Sequence, residues 1–579
     1  MNNPMKASDY IAELLVRKRV RAVFELVGGM TTHMIDSLYA RPEVKIISMH
    51  HEQGAAFAAD AAGRITGTPA VALATSGPGA INLLTGIGSC YFDSTPAVFL
   101  TGQVNRDEQK RGRRVRQLGF QEADVVSMAQ PVTKKASKVE NVEELPGILE
   151  EAFVLAADGR PGPVLVDIPM DIQRASLDPA QLPAFVPTKT PAMEYDFAVL
   201  ADALLQARKP LILAGGGIRS GLAVPVFREL LETLRIPVVH SLMGVDVLSY
   251  EHPANAGMIG SYGNRWANLA LAQCDCLLVL GSRLDVRQTG SDTEGFKTGR
   301  QIFHIDCDAA EVNNRITGCH TIVSHLHPAL QALTEELRPA AARIEARTRQ
   351  WCEQICALRQ QWPDTAELAG IEGINPNIFM HELSRSFRDV AVYVVDVGQH
   401  QMWAAQSLEV DHGQRFLTSG GMGSMGFALP AAVGASVALG GERVMLIAGD
   451  GAFQCNIQEL ETIVHLGLPV KMVVINNQCL GMVRQFQESY FGKRYQSTVW
   501  GYSAPNFEAV AAAYGIPARS ISKEMEVAEA ARWLHGKTHG PQLLQVMVSH
   551  LANAYPKLAF GKGLSCMEPQ EKPLDMEST

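Results

Sequence analysis

The chain has no strong excess of charge of one sign, no long apolar run and no paired cysteine framework, and each absence narrows what it can be. Its 51 Lys and Arg against 60 Asp and Glu leave a net charge of −9, which argues against general nucleic-acid binding. The local exception is Arg106 to Arg116, with six Lys or Arg residues, read as a solvated loop or subunit contact. No stretch reaches the roughly 18 consecutive apolar residues of a membrane span. The N-terminus, MNNPMKASDYIAELLVRKRV, lacks the uninterrupted apolar core of a signal peptide. Ten cysteines are scattered through core-forming sequence, so a disulfide framework is not expected. Cys274-x-Cys276 and Cys352-x₃-Cys356 have no second ligand pair at zinc-site spacing and read as ordinary thiols. A cytoplasmic location, without membrane or nucleic acid, is the expectation.

What is present is globular: 579 residues, 47% hydrophobic, enough for three or four domains with their own cores. Strand-like runs alternate with Ala- and Gly-rich helical ones, as doubly wound parallel sheets require. The expected fold class is therefore α/β, with three such domains at 1–178, 192–335 and 371–560. Proline-rich sequence from Pro179 to Pro191 reads as a linker, 336–370 as a helical connector, and 561–579 as a tail.

Residues 443–477 anchor the reading. The apolar run Val444 to Ala448 predicts a buried strand ending at Gly449-Asp450-Gly451. A helix pattern follows, with Ile457, Leu460, Ile463 and Val464 on one face, and a second strand, Val470 to Ile475, ends in Asn476-Asn477. An acid and an amide at neighbouring strand edges face one crevice. Their oxygens suit Mg²⁺ holding a diphosphate, with glycine N–H groups and a helix N-terminus behind it. Residues 67–102 repeat the pattern around Ser76-Gly77-Pro78-Gly79: loop glycine to proline is 19 residues from Gly77 to Pro96 and 20 from Gly449 to Pro469. Two related domains flanking a third suggest one cofactor clasped at both ends.

The blocks HEQGAAFAADAAGR (51–64), TSGPGAINLLTGI (75–87), FQE (120–122), DVGQHQMWAAQ (396–406) and TSGGMGSMGFALPAA (418–432) resemble the thiamine-diphosphate-dependent 2-oxo acid enzymes, and most closely the catalytic chain of the acetohydroxyacid (acetolactate) synthase family. The resemblance runs through almost the whole chain and implies roles. Glu52 corresponds to the carboxylate that contacts the aminopyrimidine nitrogen. Asp450, Asn477 and the carbonyl of Cys479 would ligate Mg²⁺. Gly28, Gly398, Gln399, His400, Gly449, Gly451, Ala452 and Met482 would line the cofactor; Met425 would wedge it into a bend, and the Gly423 carbonyl would accept from its amino group. The middle segment resembles a flavin-binding domain: Gly215, Gly216, Gly217, Arg287 and Asp306 match positions that hold a structural FAD. Two departures are Gly260-Ser261-Tyr262-Gly263, where Gly-Met-His-Gly is usual, and Val286, where a second acid is usual. The family also implies a homodimer or homotetramer with sites between subunits, and leaves a regulatory subunit open.

The implied reaction is decarboxylation of pyruvate and transfer of the two-carbon unit to a second carbonyl compound. Glu52 argues against glyoxylate carboligase, which lacks that acid. The absence of histidine between His51 and His240 argues against pyruvate decarboxylases, which carry a His-His pair near Leu118-Gly119-Phe120-Gln121. Phe120 and Gln121 match the ligase pattern bordering the acceptor. Phe486 stands where acetohydroxyacid synthases usually carry Trp. The block YPKLAFGKGLSCMEP (555–569) also looks like flavin-containing, yersiniose-type sugar carboligases. Acetolactate formation is the first expectation, with a ketone or keto-sugar acceptor as the alternative.

Overall fold

The computed structural model describes residues 4–179, 185–186, 195–536 and 539–574. Most of the expected Pro-rich linker, 180–184 and 187–191, lies outside the described residues. Three six-stranded sheets, all parallel, follow one another along the chain. The first comprises Ala22–Leu26, Lys45–Ser48, Ala70–Ala74, Ala97–Gln103, Lys135–Lys138 and Pro163–Pro169; the third comprises Val392–Val395, Arg415–Thr418, Val444–Gly449, Val470–Asn476, Ala518–Ile521 and Gln542–Met547. With strands counted in chain order, both are arranged 2-1-3-4-6-5. The middle sheet, Pro210–Ala214, Val238–His240, Asn255–Met258, Cys276–Leu280, Gln301–Asp306 and His320–Val323, is arranged 3-2-1-4-5-6. The repeat in loop spacing thus marks a repeated sheet, and the middle domain is wound differently.

Continuous apolar runs become central strands because helices cover both faces. Every residue of Val444–Gly449 and of Val470–Asn476 is buried. Their register pairs Val444 with Val470 and Gly449 with Ile475, so both chains leave the sheet at the same edge.

The first and third domains share one apolar core. Its seam is the contact of helix Glu52–Thr66 with helix Ala428–Ala438. Small side chains bring the backbones together: a Cβ on Gly434 would stand 2.0 Å from the Ala58 carbonyl oxygen. Phe57 and Phe427 meet edge to face at 5.5 Å.

Three features differ from the sequence reading. The single helix after Gly451 is two short ones, Asp450–Gln454 and Glu459–His465. Between them Asn456 spends its amide N–H on the Gly426 carbonyl (2.8 Å) and on Gln53 (3.1 Å). Helix Ala341–Gln361, expected as a connector, buries Ile344, Trp351 and Ile355 in the middle domain, with Trp351 Nε1 donating to the Pro210 carbonyl at 3.2 Å. The C-terminal segment folds back: Lys557–Leu558 pairs antiparallel with Met567–Glu568, and Leu558, Leu564 and Met567 join the middle domain's core. Among the described residues all ten cysteines are free, and no helix is long and apolar enough to cross a membrane.

Candidate active site

In the third sheet the strand order reverses between Val392–Val395 and Val444–Gly449, the place where open α/β sheets bind ligands. Asp396 follows the first of these strands. Its carboxylate accepts from Gly426 N–H (3.0 Å) and Ala428 N–H (2.8 Å), which pins the Gly-rich loop carrying Gly423 and Met425 over the crevice. Burial pushes this carboxyl up to about 6. Gly423 has φ +70°, a conformation that suits glycine. Met425 remains half-exposed, its methyl 3.4 Å from where a Cβ on Gly451 would lie.

Asp450 opens the next loop. Its Oδ2 is buried and makes no well-formed hydrogen bond, with the equally buried Tyr502 hydroxyl close to the carboxyl, and burial pushes the carboxyl up to about 6. Such a buried carboxylate oxygen costs free energy unless something binds it. Asn477 stands at the end of the neighbouring strand, its Nδ2 donating to Gln399 Oε1 at 3.1 Å and its Oδ1 accepting from Cys479 N–H at 3.2 Å. Among the described residues no three His, Cys, Asp or Glu side chains cluster as a metal centre. The Asp450 carboxylate and the Asn477 amide instead offer oxygen donors at the ends of neighbouring, paired strands, the kind of donor that suits Mg²⁺ keeping waters and phosphate oxygens in its remaining positions.

Gly398, His400 and Gly449 form the wall behind these donors. His400 Nε2 accepts from Gly449 N–H at 3.1 Å, and burial lowers the ring to about 3, so it is a neutral acceptor that fixes the strand-end turn. A Cβ on Gly398 or Gly449 would lie within 2.7 Å of the ring. Ala452 is buried, and Met482 lies in the first turn of helix Gly481–Tyr490. Phe486, on the same helix, is 38% exposed and lies 4.9 Å from Tyr490, centroid to centroid.

Glu52 begins its helix in the first domain and is buried. Its Oε2 accepts from Asn82 Nδ2 at 3.0 Å, and its Oε1 lies 3.0 Å from a Cβ position on Gly79. Gly28 abuts Thr75 in the same crevice, where a Cβ would clash at 2.5 Å. Gln121 (φ +63°) brings its carbonyl to within 2.8 Å of a Cβ position on Gly77, and Phe120 is 77% exposed. Two half-sites result. The side-chain hydrogen bonds of Glu52 stay within the first domain, while Gly398 to His400, Gly449 to Ala452, Asn477 and Cys479 gather in the third. Exposed apolar side chains flank both: Val27, Ile81 and Leu118 on the first domain, Met422, Val483 and Leu551 on the third.

In the middle domain, Gly216, Gly217, Arg287 and Asp306 line a cavity of about 200 Å³ that also reaches Arg64 and Arg160 of the first domain and Arg415 of the third. Gly215 lies behind it; a Cβ there would meet the Gly281 oxygen at 2.0 Å. The variant residues Ser261 and Tyr262 line the mouth. Burial raises the Asp306 carboxyl, whose Oδ1 accepts from Asp308 N–H at 3.0 Å.

Asn82, Asp396, Gln485 and the buried, unpartnered hydroxyls of Ser76 and Ser424 were not singled out from the sequence. An acid directly after the apolar run 390–395 was the available signal for Asp396; the others needed the fold.

Comparison with known proteins agrees in order along the chain. Residues 5–128 match the thiamine pyrophosphate enzyme N-terminal TPP binding domain, 197–333 the central domain, and 396–546 the C-terminal TPP binding domain. The acetolactate synthase isozyme 2 large subunit of Escherichia coli is 38% identical over 566 residues, covering 97% of this chain and 99% of that one. The acetolactate synthase large subunit of Porphyra purpurea is 36% identical over 573 residues (97% and 95% covered), and the chloroplastic acetolactate synthase of Arabidopsis thaliana 35% over 572 (97% and 84%). With two half-sites on repeated sheets and similarity along nearly its full length, the chain belongs to the thiamine pyrophosphate enzymes, in the group of acetolactate synthase large subunits.

Proposed function

We propose that the chain condenses two 2-oxo acids, releasing CO₂ from pyruvate and joining the remaining two-carbon unit to the keto carbon of a second molecule, so that two pyruvates give 2-acetolactate. The observation that carries this reading is the buried Asp450 Oδ2, without a well-formed hydrogen bond, beside Asn477, in a chain similar throughout to acetolactate synthases. Asp450, Asn477 and the Cys479 carbonyl would hold Mg²⁺ and, through it, the diphosphate of thiamine diphosphate, with Gly398 to His400 and Gly449 to Ala452 as the cradle. When bound, thiamine diphosphate supplies the carbon centre that accepts the electron pair left as CO₂ departs.

Glu52 would share a proton with the pyrimidine nitrogen through its unpaired Oε1, Asn82 holding the other oxygen. Met425 would bend the cofactor, and the Gly423 carbonyl would accept from its amino group. Phe120, Gln121 and Phe486 would border the acceptor. Since Glu52 and Asp450 serve separate half-sites flanked by exposed apolar residues, the site is completed by a second copy of the chain, as homodimer or homotetramer. The cavity would hold FAD, with Gly215 to Gly217 at the strand end and Arg287 and Asp306 as polar anchors. The relatives are called large subunits, so a small regulatory partner belongs to the same reading, as do a cytoplasmic location and domains at 1–178, 192–335 and 371–560.

Product analysis tests it. Pyruvate alone should yield acetolactate, and pyruvate with 2-oxobutyrate should yield acetohydroxybutyrate; tertiary alcohols formed only when a simple ketone is supplied would overturn the 2-oxo acid acceptor. A Glu52→Gln chain should lose about two orders of magnitude or more in turnover while binding cofactor, as followed by calorimetry.

A further inference from the structure

The amide of Asn477 can face a cation in two ways, and only its oxygen can ligate one. Its oxygen accepts from Cys479 N–H (3.2 Å), and its nitrogen is held by a chain of buried amides that backs this orientation. Asn477 Nδ2 donates to Gln399 Oε1 (3.1 Å), Gln399 Nε2 donates to Gln485 Oε1 (3.2 Å), and Gln485 closes a double contact with the main chain at Ala554, accepting from its N–H (2.9 Å) and donating to its carbonyl (3.0 Å). Asn477 is 7% exposed, Gln399 3% and Gln485 1%. Side-chain amides can be turned over in place, but the N–H and carbonyl of Ala554 cannot exchange roles. The backbone therefore fixes which end of Gln485 accepts, Gln485 fixes Gln399, and Gln399 draws the nitrogen of Asn477 away from the position beside Asp450. Gly481 makes room, since a Cβ there would lie 1.9 Å from Gln399 Oε1.

We propose that Gln485 is a positioning residue for the divalent cation: it transmits the polarity of the Ala554 peptide through Gln399 so that Asn477 presents oxygen to the ion. It sits next to Phe486 on helix Gly481–Tyr490, so the helix that borders the acceptor also orients the metal-bearing amide. The inference rests on the reading of Asp450 and Asn477 as cation ligands and extends it to a residue that touches neither ion nor substrate.

The test uses the full-length apoprotein with thiamine diphosphate and Mn²⁺ as probe, its binding followed by electron paramagnetic resonance, with thermal melts in the absence of metal. Gln485→Met removes the polarity and should weaken Mn²⁺ binding about tenfold or more, while kcat at saturating metal stays within about threefold. Gln485→Glu, held protonated in this buried position, keeps an acceptor for Gln399 Nε2 and an O–H donor for the Ala554 carbonyl, and should restore most of the affinity. Gln485→Asn, which keeps an amide but withdraws it from Gln399, should behave like Gln485→Met and serves if that variant does not fold. Unchanged Mn²⁺ affinity in Gln485→Met or in Gln485→Asn overturns the inference, as does equal weakening in Gln485→Glu, which would make Gln485 a packing residue. Asp450→Ala separates the two levels. Lost binding there with normal binding in Gln485→Met refutes the positioning role alone, whereas normal binding in Asp450→Ala refutes the cation site itself.

Discussion

Phe486 is the side chain on which acceptor choice should turn. It is partly exposed on helix Gly481–Tyr490, its ring against Tyr490 and Phe491. Phe486→Trp adds ring volume and an indole N–H, and if Phe486 borders the acceptor as proposed, a pocket contact of this kind is worth about 1–3 kcal/mol of discrimination. In competition between pyruvate and 2-oxobutyrate, the variant should form about tenfold more acetohydroxybutyrate relative to acetolactate. His381 offers a second residue-scale test, unrelated to chemistry. Buried between Asp364 (2.9 Å) and Glu409 (3.0 Å), it resists desolvation through these two acceptors, which raise it to about 9. A folded-state value above the unfolded one means the protonated ring stabilises the fold below about pH 6.5, and the contribution fades as pH climbs through about 9. Urea unfolding should therefore show a loss of about 3 kcal/mol between pH 6.5 and 9.5, with a flatter profile in His381→Gln. At this scale Asp450 and Asn477 could be picked out because each stands one residue beyond a strand-length apolar run. Gln485 and Asn82 were not: Gln485 meets Gln399 across 86 residues and Asn82 meets Glu52 across 30, separations at which no sequence periodicity operates.

Among the elements, the pair Glu52–Thr66 and Ala428–Ala438 does most to place the half-sites. Ala55, Ala56, Ala58 and Ala59 on one helix and Ala431, Ala432, Gly434 and Ala435 on the other are buried. Gly434→Ala would drive a methyl group to 2.0 Å from the Ala58 carbonyl, which backbone atoms relieve only by separating. Chemical denaturation should show a loss of about 1–3 kcal/mol. The small residues at 53–63 permit a close contact but do not name its partner, because the matching run lies beyond an intervening domain. Helix Ala341–Gln361 misled in the opposite sense. Its polar composition reads as a connector, yet the three large side chains on its inner face bury into the middle domain. The break at Asn456 was hidden because an asparagine inside an apolar-periodic pattern declares itself only when its amide finds the Gly426 carbonyl.

For the whole molecule, the common strand order of the first and third sheets was foreshadowed by loop spacings that differ by a single residue. The same architecture makes a prediction about mixtures. If each site takes Glu52 from one copy and Asp450 from another, chains carrying Glu52→Gln and chains carrying Asp450→Ala are each inactive alone. Reassembled together at equal amounts, half the dimers are mixed, and each mixed dimer holds one site with both native residues, so about a quarter of native activity should return. No recovery after verified subunit exchange would place both residues in one chain's site.

The fold-back of the C-terminal segment bears on how the protein is made. Leu558, Leu564 and Met567 complete a cluster that contains Leu211 and Val279, so the middle domain acquires these core residues only after the whole third domain has been synthesised. The face of the first sheet that carries Val23, Val71 and Leu100 can close earlier, because its core is drawn from the first domain alone. A nascent chain stalled in the third domain would carry a middle domain with an open apolar face, a target for chaperones and proteases until Leu558, Leu564 and Met567 emerge.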